Sequence, residues 1–216
     1  MQSDSITRAR YWVLATTVIV AALQLAVPNV FTIGFFWVGW PLLEIPLALW
    51  VFFAMRHQTA WEQRSVRVGM AALLSVMLLA LTFNTGMLLT LLSPDTSPTA
   101  ARLFAAGAAV IAMNVLIFGL LDWWGDAGGP LARRVRSGHE RDLMFPQQQG
   151  QYHDSQASWQ PTPGDYVYTA YTNVFAFSPT DTMPLTLRAK SVFTLQSVLG
   201  LLTIVVILGL AVNLLQ

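Results

Sequence analysis

The sequence predicts an all-α membrane protein with about five transmembrane helices plus one short re-entrant or interfacial helix before the last span. Three observations predict it. Hydrophobic residues make up 55 % of the 216-residue chain. Charged residues make up 11 %, against about 25 % in an average soluble domain. The charges are also clustered: ten lie between Asp122 and Asp165, Val68–Leu92 and Ser191–Gln216 have none, and Tyr11–Met55 has only Glu44.

A hydrocarbon core about 30 Å thick needs about 20 apolar residues per helix. Tyr11–Val27 is the first such run. It follows Arg8 and Arg10 and has no small-x-small cleavage site, so it reads as a retained signal anchor. Phe36–Met55 is the second, with Pro41 and Pro46 near its start. Proline suits the first helical turn, so this helix is expected to begin near Pro41. Glu44 then has two readings. It is an intramembrane acid that holds an ion or proton, or an interfacial residue favoured by the helix dipole. Val68–Leu92 and Leu103–Leu121 are the third and fourth runs, and their Asn84 and Asn114 suit interhelical hydrogen bonds. Ala101, Ala105 and Ala109, with Ala108 and Ala112, recur every four residues as a packing face. Trp37 and Trp40 at the second run, and Trp123 and Trp124 after the fourth, suit the headgroup level. Ser191–Leu215 is the fifth run. Its Gln196, Gly200 and Thr203 share one helix face, which lines a polar path or receives a neighbouring helix.

These runs place a four-helix transmembrane region at 1–124 and a polar segment at 125–163. The latter is Gln-rich and interrupted by Pro161 and Pro163, so a mobile loop is expected there. Residues 164–216 read differently. The aromatic stretch up to Phe177 covers about 20 Å as a helix, too short to span. Asp165 stands where a carboxylate can cap its first turn. Ser178–Pro184 follows, and its two prolines forbid regular helix. Short helix, polar turn and long helix follow one another as in a pore loop. The residues nearest any polar path would be Thr172, Asn173, Ser178, Thr180 and Asp181, with Gln196 on the last helix.

This C-terminal quarter resembles the pore module of the potassium-channel superfamily in Tyr168, Thr172, Asp181-Thr-Met-Pro184, Arg188, Gln196 and Gly200. It is similar also to uncharacterised bacterial integral membrane proteins that end in an aromatic helix, a Ser-Pro-Thr-Asp-like turn and an Ala-Val-Asn-Leu terminus, here Ala211–Leu214. The channel resemblance implies a homo-oligomer around an axis, in which a ring of Asp181 carboxylates could select cations. The filter departs from the pattern. Residues 175–180 hold no glycine, which a carbonyl-lined filter needs for its φ > 0 turns. The alternative is a non-conducting membrane protein that binds a partner or assembles through its helices, with Asp181 capping the last helix.

Other functions have no support in the composition. A net charge of +1 argues against nucleic acid. The absence of cysteine removes disulfides and thiolate sites. His57, His139 and His153 form no metal-ligand spacing on an apolar helix, and no catalytic set emerges, so neither cofactor, metal nor enzyme activity is expected. The lipid bilayer is the partner the composition implies, beside the homo-oligomer or partner protein of the two readings above.

Basic residues set orientation. With the N-terminus cytoplasmic, eleven Lys and Arg lie inside and only Arg102 outside. The expected protein is therefore a multi-pass protein of the cell membrane, its C-terminus outside and the Ser178–Pro184 turn on the cytoplasmic side. Reporters that work on one side only, fused at Gly150 and at Gln216, test this. A cytoplasmic reporter should be active at Gly150 and silent at Gln216.

Overall fold

In an apolar medium backbone groups must pair within their own segment, and the fold is accordingly helical. The computed structural model describes residues 2–27, 36–56, 60–90, 99–130, 133, 141–149, 159–179 and 181–213. The elements are α1 (Gln2–Ala26), α2 (Phe36–Ala54), α3 (Ala60–Thr90), α4 (Ala100–Gly125), β1 (Leu143–Met144), α5 (Pro163–Phe175), β2 (Met183–Pro184) and α6 (Leu187–Asn213). Among the described residues four helices are long and apolar enough to cross a membrane, through Ile6–Ala26, Gln63–Leu89, Ala101–Gly128 and Leu187–Gly209. The chain is an all-α, multi-pass integral membrane protein. Helix α2 is shorter: its 19 residues cover about 28 Å, just under the hydrocarbon thickness.

The chain forms two compact units, Met1–Ile117 with Leu202–Gln216, and Phe118–Leu201. In the first unit α2 packs on α1 and on α3. Near one end of α2, Tyr11 meets Phe52 edge-on at 5.4 Å and the Arg10 guanidinium lies 4.2 Å from the same ring. Trp50 donates its indole N–H to Ser65 at 3.0 Å. Trp40 packs on Phe83 at the other end, so α2 and α3 run antiparallel. Val51 closes on Gly69, where a Cβ would sit 2.9 Å from its Cγ2. Gly107 of α4 similarly receives Ile207 of α6.

Three features differ from the sequence reading. Helix α2 contains Pro41 and Pro46 rather than starting at Pro41, and already includes Phe36. Glu44 therefore stands in the third turn, fully buried, not in a wet first turn. The alanine face of α4 is only partly packed: Ala101, Ala105 and Ala108 are exposed and Ala112 is half-buried, while Ala109 is buried together with Ala106, Gly107 and Val110. Asn84 spends its amide on its own helix, donating to Ala80 O at 2.7 Å.

In the second unit the short α5 has glycines on both sides. A Cβ on Gly119 of α4 would lie 3.0 Å from the Val167 Cα, and one on Gly200 of α6 would lie 3.2 Å from the Val174 Cγ1. The Gly119 contact is with backbone, which cannot rotate away. Gly119→Val should therefore lower unfolding stability by about 1–3 kcal/mol through overpacking. Thermal denaturation in detergent, compared with Gly86→Ala at an uncrowded glycine, checks it.

Candidate functional site

The polar chemistry of the second unit begins where α4 ends. Ala127, Gly128 and Gly129 take φ of 50°, 77° and 98° in succession. That left-handed run reverses the chain and leaves the Asp126 side chain buried at the helix end. Its Oδ1 accepts the backbone N–H groups of Asp142 and Leu143 at 3.0 and 3.2 Å. Its Oδ2 accepts the Tyr166 hydroxyl at 2.7 Å. The Arg133 guanidinium stands 3.7 Å from Asp126 Oδ2 and 5.3 Å from the centre of the Tyr166 ring. Arg133 also donates to the carbonyls of Trp123 and Asp126, both at 2.8 Å. Burial pushes the Tyr166 phenol well above its ordinary pKa, against the pull of Arg133. It is consequently a fixed hydrogen-bond donor.

Asp142 ties this corner to the start of α6. Its Oδ1 accepts the Thr186 hydroxyl at 2.6 Å, and its Oδ2 accepts the Ala127 N–H at 3.2 Å. Arg188 donates both to Asp142 Oδ2 and to the Gly125 carbonyl. Thr186 accepts the Ala189 N–H at 3.2 Å, so Thr186 is the N-cap of α6. One rung of sheet completes the corner: β1 and β2 are antiparallel, Leu143 facing Pro184 and Met144 facing Met183. Part of the stretch read as a polar loop thus carries defined structure, because its charges meet partners distant in sequence.

Helix α5 is closed at its N-terminus by a capping box. Asp165 Oδ2 accepts the Thr162 N–H at 2.6 Å and the Thr162 hydroxyl at 2.7 Å. Its inner face meets α6 through a buried amide clasp. Asn173 Nδ2 donates to Gln196 Oε1 at 2.8 Å and to Phe193 O at 3.1 Å. Gln196 Nε2 donates to Ala170 O at 2.9 Å, and Ser197 donates to Asn173 Oδ1 at 3.3 Å. Thr172 is buried and bonds the Thr169 carbonyl at 2.9 Å. Three of the residues placed near a polar path, Thr172, Asn173 and Gln196, therefore point into helix packing. Ser178 and Asp181 are exposed. Thr180 lies outside the described residues. Asp181 does not cap α6; Thr186 does. Phe177 takes φ of 51° without being glycine.

An open groove of about 420 Å³ runs along this hairpin. Phe177, Pro179, Pro184, Phe193 and Leu201 form much of its wall, Asn173 also touches it, and Lys190 is the one charged residue among the described lining. Among the described residues no group of three or more His, Asp or Glu could hold a metal ion. Comparison with known proteins finds no matching family model, no similar curated protein and no similar solved structure.

Sequence reasoning missed Asp126, Arg133, Asp142 and Tyr166. Their only local signal was the mixture of both charges around a Gly-Gly turn. The partners are 40 residues apart at Tyr166–Asp126 and 44 at Thr186–Asp142.

Removing the Tyr166 hydroxyl leaves Asp126 buried with one fewer donor. Tyr166→Phe should cost about 1–3 kcal/mol. Asp126→Ala should cost more, about 3–5 kcal/mol, because it leaves the Tyr166 hydroxyl and two backbone N–H groups without their acceptor. Asp181→Asn, at an exposed position, should stay within about 0.5 kcal/mol of wild type. Denaturant titration of the three variants in one detergent ranks them.

Proposed function

We propose that the protein is a non-conducting integral membrane protein that binds an anionic amphiphile of the bilayer through its C-terminal hairpin. The observation that carries this reading is the amide clasp. Asn173 and Gln196 direct their polar atoms at each other and at backbone carbonyls, so they are not presented to a water-filled path. The missing filter glycines point the same way. The outer face of α5 instead presents Tyr168, Tyr171 and Phe175, with Phe177 following, all exposed. Exposed aromatic rings of this kind suit the membrane–water boundary. The groove beside them joins apolar walls to a single cation, Lys190. That charge complements a lipid phosphate, while Val198 and Leu201 suit an acyl chain. On the charge count the hairpin belongs to the cytoplasmic leaflet, where anionic lipids concentrate.

Two measurements test the reading. Liposomes with verified incorporation of wild-type protein should show no cation flux above empty liposomes. Flux that Asp181→Asn alters would restore the pore. Native mass spectrometry should show retention of phosphatidylglycerol over phosphatidylcholine. Lys190→Gln should lower that preference about fivefold, since one basic residue near an anionic surface contributes about 1 kcal/mol. Equal retention of both lipids by wild type would remove lipid binding at this groove.

A further inference from the structure

The first unit contains an acid that the hairpin does not use. Glu44 of α2 is fully buried, and Gln24 of α1 is 3 % exposed. Gln24 Nε2 donates to Glu44 Oε1 at 2.8 Å. The other two atoms of the pair, Gln24 Oε1 and Glu44 Oε2, are buried with no hydrogen-bond partner among the described residues. If Glu44 is ionised both atoms are acceptors, and neither can satisfy the other. One added proton changes that. A protonated Oε2 becomes the donor that the Gln24 carbonyl lacks. The two oxygens share one carbon on Glu44, and the oxygen and nitrogen share one carbon on Gln24. With the two groups turned edge to edge about the existing bond, the second pair comes within reach, and the acid and amide can close a ring of two hydrogen bonds.

Among the described residues no cation pairs with Glu44. Tyr11–Ala26 on α1 and Val68–Thr90 on α3 carry no charged residue, and Glu44 is alone within α2. Arg10 and Tyr11 are engaged with Phe52, eight residues further along α2. Arg56 stands beyond α2, and Arg64, Arg67 and Arg102 are exposed. A buried carboxylate without a cation carries a large desolvation penalty, whereas the neutral acid carries far less.

We infer that Glu44 is a proton-binding site inside the helix bundle, holding one proton at neutral pH in a two-bond acid–amide pair with Gln24 that joins α1 to α2. This site is independent of the hairpin and of what binds there.

Infrared spectroscopy of the full-length protein in lipid, grown with carboxyl-labelled [13C]glutamate, tests it. The chain has three glutamates, Glu44, Glu62 and Glu140. At neutral pH wild type should show a protonated-carboxyl band that shifts with the label. That band should vanish in Glu44→Gln. It should move to higher frequency in Gln24→Leu, where the carbonyl loses its donor. Absence of a label-sensitive protonated-carboxyl band at neutral pH, or its survival in Glu44→Gln, would overturn the site. Stability gives a second readout. A glutamine at 44 can make both bonds to Gln24, so Glu44→Gln should keep the wild-type thermal midpoint while Glu44→Ala lowers it. Equal losses in the two variants would overturn the paired arrangement.

Discussion

A polar atom that leaves water for an apolar interior must find its partner within the chain, and the internal structure of this protein depends on that constraint. Isolated hydroxyls and amides meet it with their own helix. Thr17 donates to Val13 O, Thr82 to Leu78 O, Thr194 to Lys190 O and Asn84 to Ala80 O, each four residues back. These bonds leave the helices free to pack on apolar and glycine contacts such as Val51 on Gly69. Where one helix cannot satisfy a group alone, the group reaches a second element, and that reach defines the tertiary structure.

The second unit shows the consequence. Helix α5 has 13 residues, too few to cross a bilayer. Its position depends on contacts along its whole length: a capping box at Thr162–Asp165, the Tyr166–Asp126 bond, and the clasp of Asn173 with Gln196. Gly119 and Gly200 let its backbone approach α4 and α6 closely. The Asp142–Arg188 pair adds less than its geometry suggests, because Arg188 is 60 % exposed and water screens it. Asp126, at 3 % exposure with three donors, has the larger part. Asp122 stands in the same unit, buried, with Oδ2 lacking a hydrogen-bond partner among the described residues. The acids of this corner are therefore unequal: one is fully enclosed by donors and one is not.

The same physics separates the two halves of the polar inventory. Residues that are buried, such as Asn173 and Gln196, bond inward and stabilise the hairpin. Those that are exposed, such as Lys190, remain available to whatever meets the surface. A functional reading that assigns ion contact to the inward set must first break their hydrogen bonds. One that assigns lipid contact to the groove does not.

Membrane character and helix identity were legible in the sequence because they follow from local quantities: run length, hydropathy and the placement of proline and charge. The runs at Tyr11–Val27, Val68–Leu92, Leu103–Leu121 and Ser191–Leu215 overlap the four long helices, with ends that differ by several residues. Asp165 was legible for the same reason, since a cap is set by its immediate neighbours. Pairings across long separations were not. Nothing local distinguishes Asp126, which receives Tyr166, Asp142 and Leu143, from the neighbouring acids. Nothing local says that Thr186 rather than Asp181 caps α6, or that Glu44 faces Gln24 rather than water. The sequence by itself determined which segments are helical and apolar, because hydrophobic transfer is summed residue by residue. The tertiary structure alone decided which polar atoms meet, because a hydrogen bond depends on distance and direction between groups that the chain brings together only when it folds.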